Sequence, residues 1–271
     1  MATYQGRALR TAAPKVRQGT LGKLGRVAKV IGVLGLVAAL AHVPWGTLRA
    51  QAIHVAEIRV EGLHYLDAAT IAARSGIKVG SGWLDADLDG ARQRLMADSR
   101  IRGARVTRAF PNTIDIKIEE RVPVLLVHHG SPWELAGDGV LMAPLKEGVV
   151  ADVPLVNGLE AEKYKAGTCI GTPEAQRALA WVGATADPQL ELAGRISEFD
   201  VSDAASTAVV LMDGTRVLAP AWPPGLSTLS SLRVVLTSLG QRGIAAQEID
   251  LRYKHQVIVR PAAGDAVMQP S

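Results

Sequence analysis

The chain is poor in cysteine, in aromatic residues and, over its first segment, in acid. A single cysteine, Cys169, stands among 271 residues. No internal disulfide is possible, so any domain must hold through its core alone. Cys169 has no Cys-His pattern around it and reads as a small buried hydrophobe rather than a nucleophile. Aromatic residues make up only 4% of the chain; set beside its many alanines and glycines, this reflects base composition and says nothing of function. Motifs of hydrolases, zinc proteases and nucleotide-binding proteins (G-x-S-x-G, H-E-x-x-H, Walker A, G-x-G-x-x-G) are missing. The chain therefore reads as non-enzymatic, with no cofactor, no metal and no small-molecule substrate.

Acid is absent from the first 29 residues, which hold seven of the 30 Lys and Arg and none of the 26 Asp and Glu. The rest of the chain has 23 basic against 26 acidic residues, a net charge near −3. The overall charge of +4 thus belongs to the N-terminal tail and marks no nucleic-acid-binding face. Such a tail suits anionic lipid, at about 1 kcal/mol per charge close to the surface.

The stretch after the tail is uncharged. Residues 30–48 contain no Asp, Glu, Lys or Arg. As a helix they would extend about 28 Å, close to one hydrocarbon core. Pro44 and Trp45 fall at one end, where headgroups repair a broken backbone bond and an interfacial aromatic sits. The basic flank predicts a cytoplasmic N-terminus and an exterior remainder, by the positive-inside rule. Two other readings stay open. A buried helix of a soluble domain is this apolar but rarely comes after so many unopposed charges. A signal peptide cleaved near Ala50-Gln51-Ala52 is the other, although its basic region would be long.

Beyond a short connector, residues 53–62 read as a strand with one slip in period near Ala56-Glu57. Asp67 caps a helix that stops at Gly76. Asp85 or Asp87 starts a second, with Leu84, Leu88, Ala91 and Leu95 on one face. Residues 104–109 form a strand, Phe110-Pro111-Asn112 turns the chain, and Ile114, Ile116 and Ile118 alternate with polar residues in a half-buried strand. Two helices on one face of a three-stranded sheet would bury those isoleucines.

Three clusters invite chemistry and carry none. Asp85-Ala86-Asp87-Leu88-Asp89-Gly90 begins like a calcium loop, but Met96 replaces the bidentate Glu at its twelfth position, so these acids read as helix caps. His128-His129 and Glu119-Glu120 are strand neighbours pointing to opposite faces, unsuited to chelation or to acid–base pairing.

In the second half, residues 124–128 are an apolar run. Gly137-Asp138-Gly139 and Asp213-Gly214 are hairpin turns. Thr172-Pro173-Glu174 opens a helix. Residues 226–239 repeat leucine and valine at helical spacing up to Gly240. Residues 248–253 and 256–259 read as the last two strands, and 263–271 as a frayed tail.

The segments Val60-Glu61-Gly62, 84–96 and, above all, Arg105-Val106-Thr107-Arg108-Ala109-Phe110-Pro111-Asn112-Thr113-Ile114-Asp115-Ile116-Lys117-Ile118-Glu119-Glu120-Arg121-Val122-Pro123 resemble the POTRA domain of the bacterial cell-division family FtsQ/DivIB. Phe110 and Ser99 stand where that family often has Trp and Pro. Asp138-Gly139, Val153 to Gly158 and Ile249-Asp250-Leu251-Arg252-Tyr253 resemble its later segments. The resemblance implies an α+β protein with five parts: a cytoplasmic tail (1–29), a transmembrane helix (30–48), a β-α-α-β-β POTRA domain (53–123), a mixed, mainly antiparallel β domain with helices (124–262) and a disordered tail (263–271). It further implies a non-catalytic, single-pass inner-membrane scaffold at the division septum. Its partners would be FtsB and FtsL, with others possible through the POTRA domain, and it would help couple septum assembly to peptidoglycan synthesis. Partner binding would fall beside the terminal strands, at Arg252, Tyr253, Lys254, His255, Gln256, Val257 and Ile258. There Tyr253 would be an aromatic anchor, Arg252 a charge partner and 254–258 a strand-pairing backbone.

One alternative is an outer-membrane or secretion component whose POTRA domain handles unfolded chains. A sixteen-stranded barrel at about ten residues per strand needs at least about 160 residues, and only 148 come after Pro123. A membrane-tethered enzyme, the other alternative, lacks a recognisable nucleophile or metal set.

Overall fold

Period-two apolar patterns become sheets, and the capped helical segments pack on them. The computed structural model describes residues 21–42, 54–146, 148–253 and 256–262. Pro44, Trp45, Lys254, His255 and the tail 263–271 lie outside the described residues. The chain divides into two compact units, before and after the junction at Ile53–His54.

The first unit contains helix α1 (Leu21–His42). It begins nine residues before the expected start at Val30 and takes in Gly22 and Gly25 among better helix formers such as Leu, Lys, Arg and Ala. Residues 43–48 of the expected span lie outside the described residues. From Lys29 to His42 every residue is exposed. Among the described residues no helix is long and apolar enough to cross a membrane.

The second unit begins with β1 (Glu57–Glu61), α2 (Ala68–Ser75), α3 (Leu88–Met96), β2 (Ile101–Ala109) and β3 (Thr113–Glu120). Three strands form a sheet in the order β1-β3-β2, with β1 parallel and β2 antiparallel to β3. β1 is shorter than the expected strand. Val55 turns aside to pair with the Gly80–Ser81 backbone, which accounts for the slip in period. Asp67 Oδ2 accepts from Thr70 N, and Asp87 Oδ1 accepts from Gly90 N, so both helices are side-chain capped. Leu84 precedes α3 instead of joining its face, because the helix starts only after the Asp87 cap. Ile71, Ala91, Leu95, Ile114, Ile116 and Ile118 fill the core, each buried isoleucine or leucine contributing about 1.5–3 kcal/mol. Gly62 ends β1 at φ 83°, where a Cβ would lie 2.1 Å from Ile118 O, so no side chain fits there. The loop after Gly62 is fixed by Glu120, whose carboxylate accepts from His64 N, Tyr65 N and Leu66 N at 2.8–3.0 Å.

Nine more strands follow: β4 (Pro123–His129), β5 (Ser131–Ala136), β6 (Leu141–Met142), β7 (Leu155–Asn157), β8 (Ile196–Asp200), β9 (Ser206–Leu211), β10 (Arg216–Pro220), β11 (Ala246–Asp250) and β12 (Ile258–Pro261). They form one sheet in the order β12-β11-β10-β9-β8-β7-β4-β5-β6. Five of its pairings are antiparallel and three parallel. Helix α4 (Pro173–Thr185) lies between β7 and β8 in sequence, and α5 (Leu226–Arg242) between β10 and β11. Their buried residues, including Trp181, Leu229, Leu232 and Leu236, share one core with Phe199, Val209 and Ile249 of the sheet. The α+β class that the resemblance implied describes both sheets.

Three expectations fail here. Helix α5 passes through Gly240 and ends at Gly243, which takes the left-handed conformation at φ 67° while Ile244 N donates to Leu239 O. The last strands stop and start elsewhere: β11 ends at Asp250, because Leu251 N turns to Leu218 O and Asp250 Oδ1 accepts from Arg252 N. Cys169 is exposed rather than buried. It bridges to Val140 beside β6 with Ile170 facing the core, so strand alternation turns its sulfur outward.

The sheet's two edges differ. Beyond β6, Leu141 N donates to Thr168 O and Gly167 N to Leu141 O, so the segment after the Tyr164–Lys165 turn closes that side. Beyond β12, no described segment pairs with the ladder.

The small sheet is welded to the large one. Arg121 N donates to Arg100 O, and the Arg121 guanidinium reaches Asp138 Oδ2, Ser99 O and Ile101 O at 2.8–2.9 Å. Arg100 Nη2 lies 2.8 Å from Glu134 Oε2, with the two side chains 7% and 3% exposed.

Candidate partner-binding edge

Of the expected residues, Arg252, Tyr253, Gln256, Val257 and Ile258 are described, and they lie at β12 and the segment that leads into it. Val257 is half-buried against the core, while Ile258 is 46% exposed and pairs with Asp250. Leu251 is buried and anchors the turn from below. Gln256 N reaches Tyr253 O at 3.4 Å, which reverses the chain. Tyr253 is 54% exposed in the segment that leads into β12. With Gln256 and Val257 it faces Ser227, Thr228 and Ser231 of the first turns of α5 across a shallow cleft. Lys254 and His255 lie outside the described residues.

Arg252 is exposed but engaged within the chain. Its Nε and Nη2 donate to Asp250 at 2.6–3.2 Å. The Arg252 guanidinium holds the Asp250 carboxyl below its ordinary 3.8, aided by the Arg252 N–H and opposed by partial burial. In return the Asp250 carboxylate raises the Arg252 pKa. A depressed carboxyl stabilises the fold fully above about pH 3.8 and ceases to do so as pH falls through its lower folded value. The Arg252 amide NMR signal is therefore expected to titrate with its midpoint below the ordinary carboxyl value, and Asp250→Asn removes that transition. Asp203 lies within reach of this charge; its carboxyl is lowered first by the Ser206 hydroxyl, then by the Ala205 N–H, with Arg177 and Arg252 adding smaller contributions.

Exposed apolar side chains close by are not foreseeable from the periodicity. Trp222 is 52% and Leu226 55% exposed, on the loop into α5 and on its first residue. An aromatic residue ahead of Pro223-Pro224-Gly225 was the available signal: a rigid loop with no apolar period to place its tryptophan inside.

The clusters set aside earlier have structural roles. His129 stacks on Trp133 at 3.9 Å while His128 is exposed on the other face. Among the described residues no group of His, Cys, Asp and Glu is placed to hold a metal ion.

A small β-α-α-β-β module joined to a nine-stranded mixed sheet is the arrangement of a POTRA-bearing protein. Residues 53–121 match the family model of the POTRA domain, FtsQ-type. Cell division protein FtsQ of Myxococcus fulvus is 27% identical over 205 residues, covering 76% of this chain and 72% of that protein. Its counterpart in Geobacter sp. is 27% identical over 213 residues, covering 78% and 77%. The FtsQ of Syntrophotalea carbinolica is 24% identical over 211 residues, covering 78% and 75%. The chain thus carries a POTRA domain of the FtsQ type and is similar over most of its length to bacterial proteins named cell division protein FtsQ.

Proposed function

We propose that this chain is a single-pass inner-membrane scaffold of the divisome that performs no covalent chemistry. The basic tail faces the cytoplasm, the apolar stretch 30–48 crosses the bilayer, and the modules 53–123 and 124–262 stand outside at the septum. There the protein binds FtsB and FtsL and couples septum assembly to peptidoglycan synthesis. The FtsQ-type POTRA match and the similarity to cell division proteins named FtsQ support the cell-division role, and the charge asymmetry around residues 30–48 supports the orientation.

The observation that carries the binding site is that β12 ends the sheet, with no further strand beside it among the described residues, and that Tyr253 is exposed in the segment leading into it. An added strand satisfies the unpaired N–H and C=O groups of β12, and an aromatic anchor beside it sets register. Arg252, already neutralised by Asp250, orients the turn and offers its remaining N–H groups to an acidic partner. Trp222 and Leu226 extend the apolar surface along the start of α5.

Tyr253→Ala is expected to weaken FtsB binding by about 2 kcal/mol, roughly 30-fold, with unchanged far-UV circular dichroism. Undiminished affinity in a folded variant would remove this site. Protease protection in membrane vesicles tests the orientation, and filamentation on depletion tests the division role.

A further inference from the structure

We propose that the end of the POTRA domain where the chain joins it from residue 53 is a bilayer-contact surface, with Phe110 and Val79 as its inserted side chains. The inference rests on the reading that residues 30–48 span the membrane.

Three segments meet at that end. Val55 N donates to Ser81 O, Gly80 N donates to Val55 O, and His54 bridges to Gly82. Ala56 N donates to Asn112 O, which brings the Phe110–Asn112 turn to the same place. The first described residues of the domain thus lie between the loop 78–84 and the β2–β3 turn.

Both flanking segments carry apolar side chains that face solvent. Phe110 is 87% exposed, more than any other large hydrophobic residue among those described. Val79 is 63% and Leu84 40% exposed. An isolated exposed hydrophobe needs no explanation, but several gathered round one point do.

The scaffold beneath them is fixed. Arg108 donates to the carbonyls of Trp83, Leu84 and Ala86, and Trp83 Nε1 donates to Thr113 O. Phe110 and Val79 stand largely in solvent at 87% and 63% exposure, outside the shallow recess that Lys78, Ser81 and Gly82 line, which suits a deformable surface better than a shaped protein partner. Lys78 and Arg108 supply positive charge at this end and Asp85 opposes them, so attraction to anionic lipid is present but weak.

Tether length selects lipid as the occupant. Five residues, 49–53, separate the apolar stretch 30–48 from His54. Fully extended they reach about 20 Å, so this end of the domain stays within reach of the bilayer in which the apolar stretch is held.

The test uses the full chain, carrying Cys169→Ser, reconstituted in phosphatidylethanolamine–phosphatidylglycerol vesicles. Single cysteines at Phe110→Cys, Val79→Cys, Leu36→Cys and Val234→Cys receive an environment-sensitive nitrobenzoxadiazole label. Doxyl lipid serves as quencher. Labels at positions 110 and 79 are expected to lose emission about twofold or more, as befits a depth of roughly 5–10 Å, and the label at 234 is expected to keep it. Emission at 110 and 79 that matches 234 while 36 is quenched overturns the contact surface and leaves the membrane-spanning reading standing. An unquenched label at 36 overturns both. Equal quenching at 234 overturns the assignment to this end of the domain.

Discussion

Replacing Glu134 by alanine is expected to cost about 3–5 kcal/mol, the penalty for stranding a buried charge. Glu134 and Arg100 join β5 to the start of β2, and both side chains are almost wholly out of water. Arg100 Nη2 directs a hydrogen bond to Ala143 O at 2.7 Å. Glu134 Oε2 lies 2.8 Å from the same nitrogen but off its N–H direction and finds no hydrogen-bond partner, so the contact is Coulombic rather than hydrogen-bonded. Removing the carboxylate leaves the guanidinium buried with one carbonyl. Thermal unfolding monitored by circular dichroism should show a single transition lowered by more than about 10 °C or a separate early transition of the POTRA module; either reports loss of the weld. Replacing both partners, as in Arg100→Met with Glu134→Leu, is expected to restore much of the stability, because two apolar groups of similar volume avoid desolvating ions. Glu134→Ala with an unchanged melting curve would show that the pair contributes nothing.

The second large effect is Trp181→Ala, expected to cost about 3–5 kcal/mol. Trp181 is 1% exposed and lies 6.4 Å from Phe199, ring centre to ring centre, so its loss leaves a cavity against β8. Its indole N–H also donates to Ala221 O at 3.1 Å, a carbonyl that accepts from the Thr207 hydroxyl as well. That carbonyl begins the loop carrying Trp222 into α5. Trp181→Phe keeps most of the apolar volume but removes the donor, so its cost should fall well below that of alanine. Chemical denaturation of both variants, with FtsB binding measured on the folded fraction, separates core loss from displacement of the loop. Equal costs for Phe and Ala would show that the lost indole donor outweighs packing.

Local chemistry was legible in the sequence. The caps at Asp67, Asp87 and Thr172 and the alternation of Ile114, Ile116 and Ile118 each depend on neighbours within a few residues, and each appears in place. Long-range consequences were not legible. Parallel pairing of β10 with β11, across the whole of α5, leaves no mark in either strand. The Arg100–Glu134 pair joins residues that in isolation read as ordinary surface charges. Gly240 looked like a helix end because glycine so often is one, yet the packing of Leu229, Leu232 and Leu236 carries α5 past it to Gly243. At the candidate site, the resemblance supplied Arg252 and Tyr253, but only the folded chain shows the guanidinium turned back on Asp250 and Trp222 left outside.

The unequal edges of the nine-stranded sheet also limit self-association. Among the described residues the ladder of β12 has no partner on its outer side, whereas β6 is paired with the segment around Thr168. Two copies meeting at β12 would form an isologous pair related by a two-fold axis, and that contact would use up the β12 edge of both. Were β12 the edge that admits a foreign strand, self-pairing there and partner binding would exclude each other.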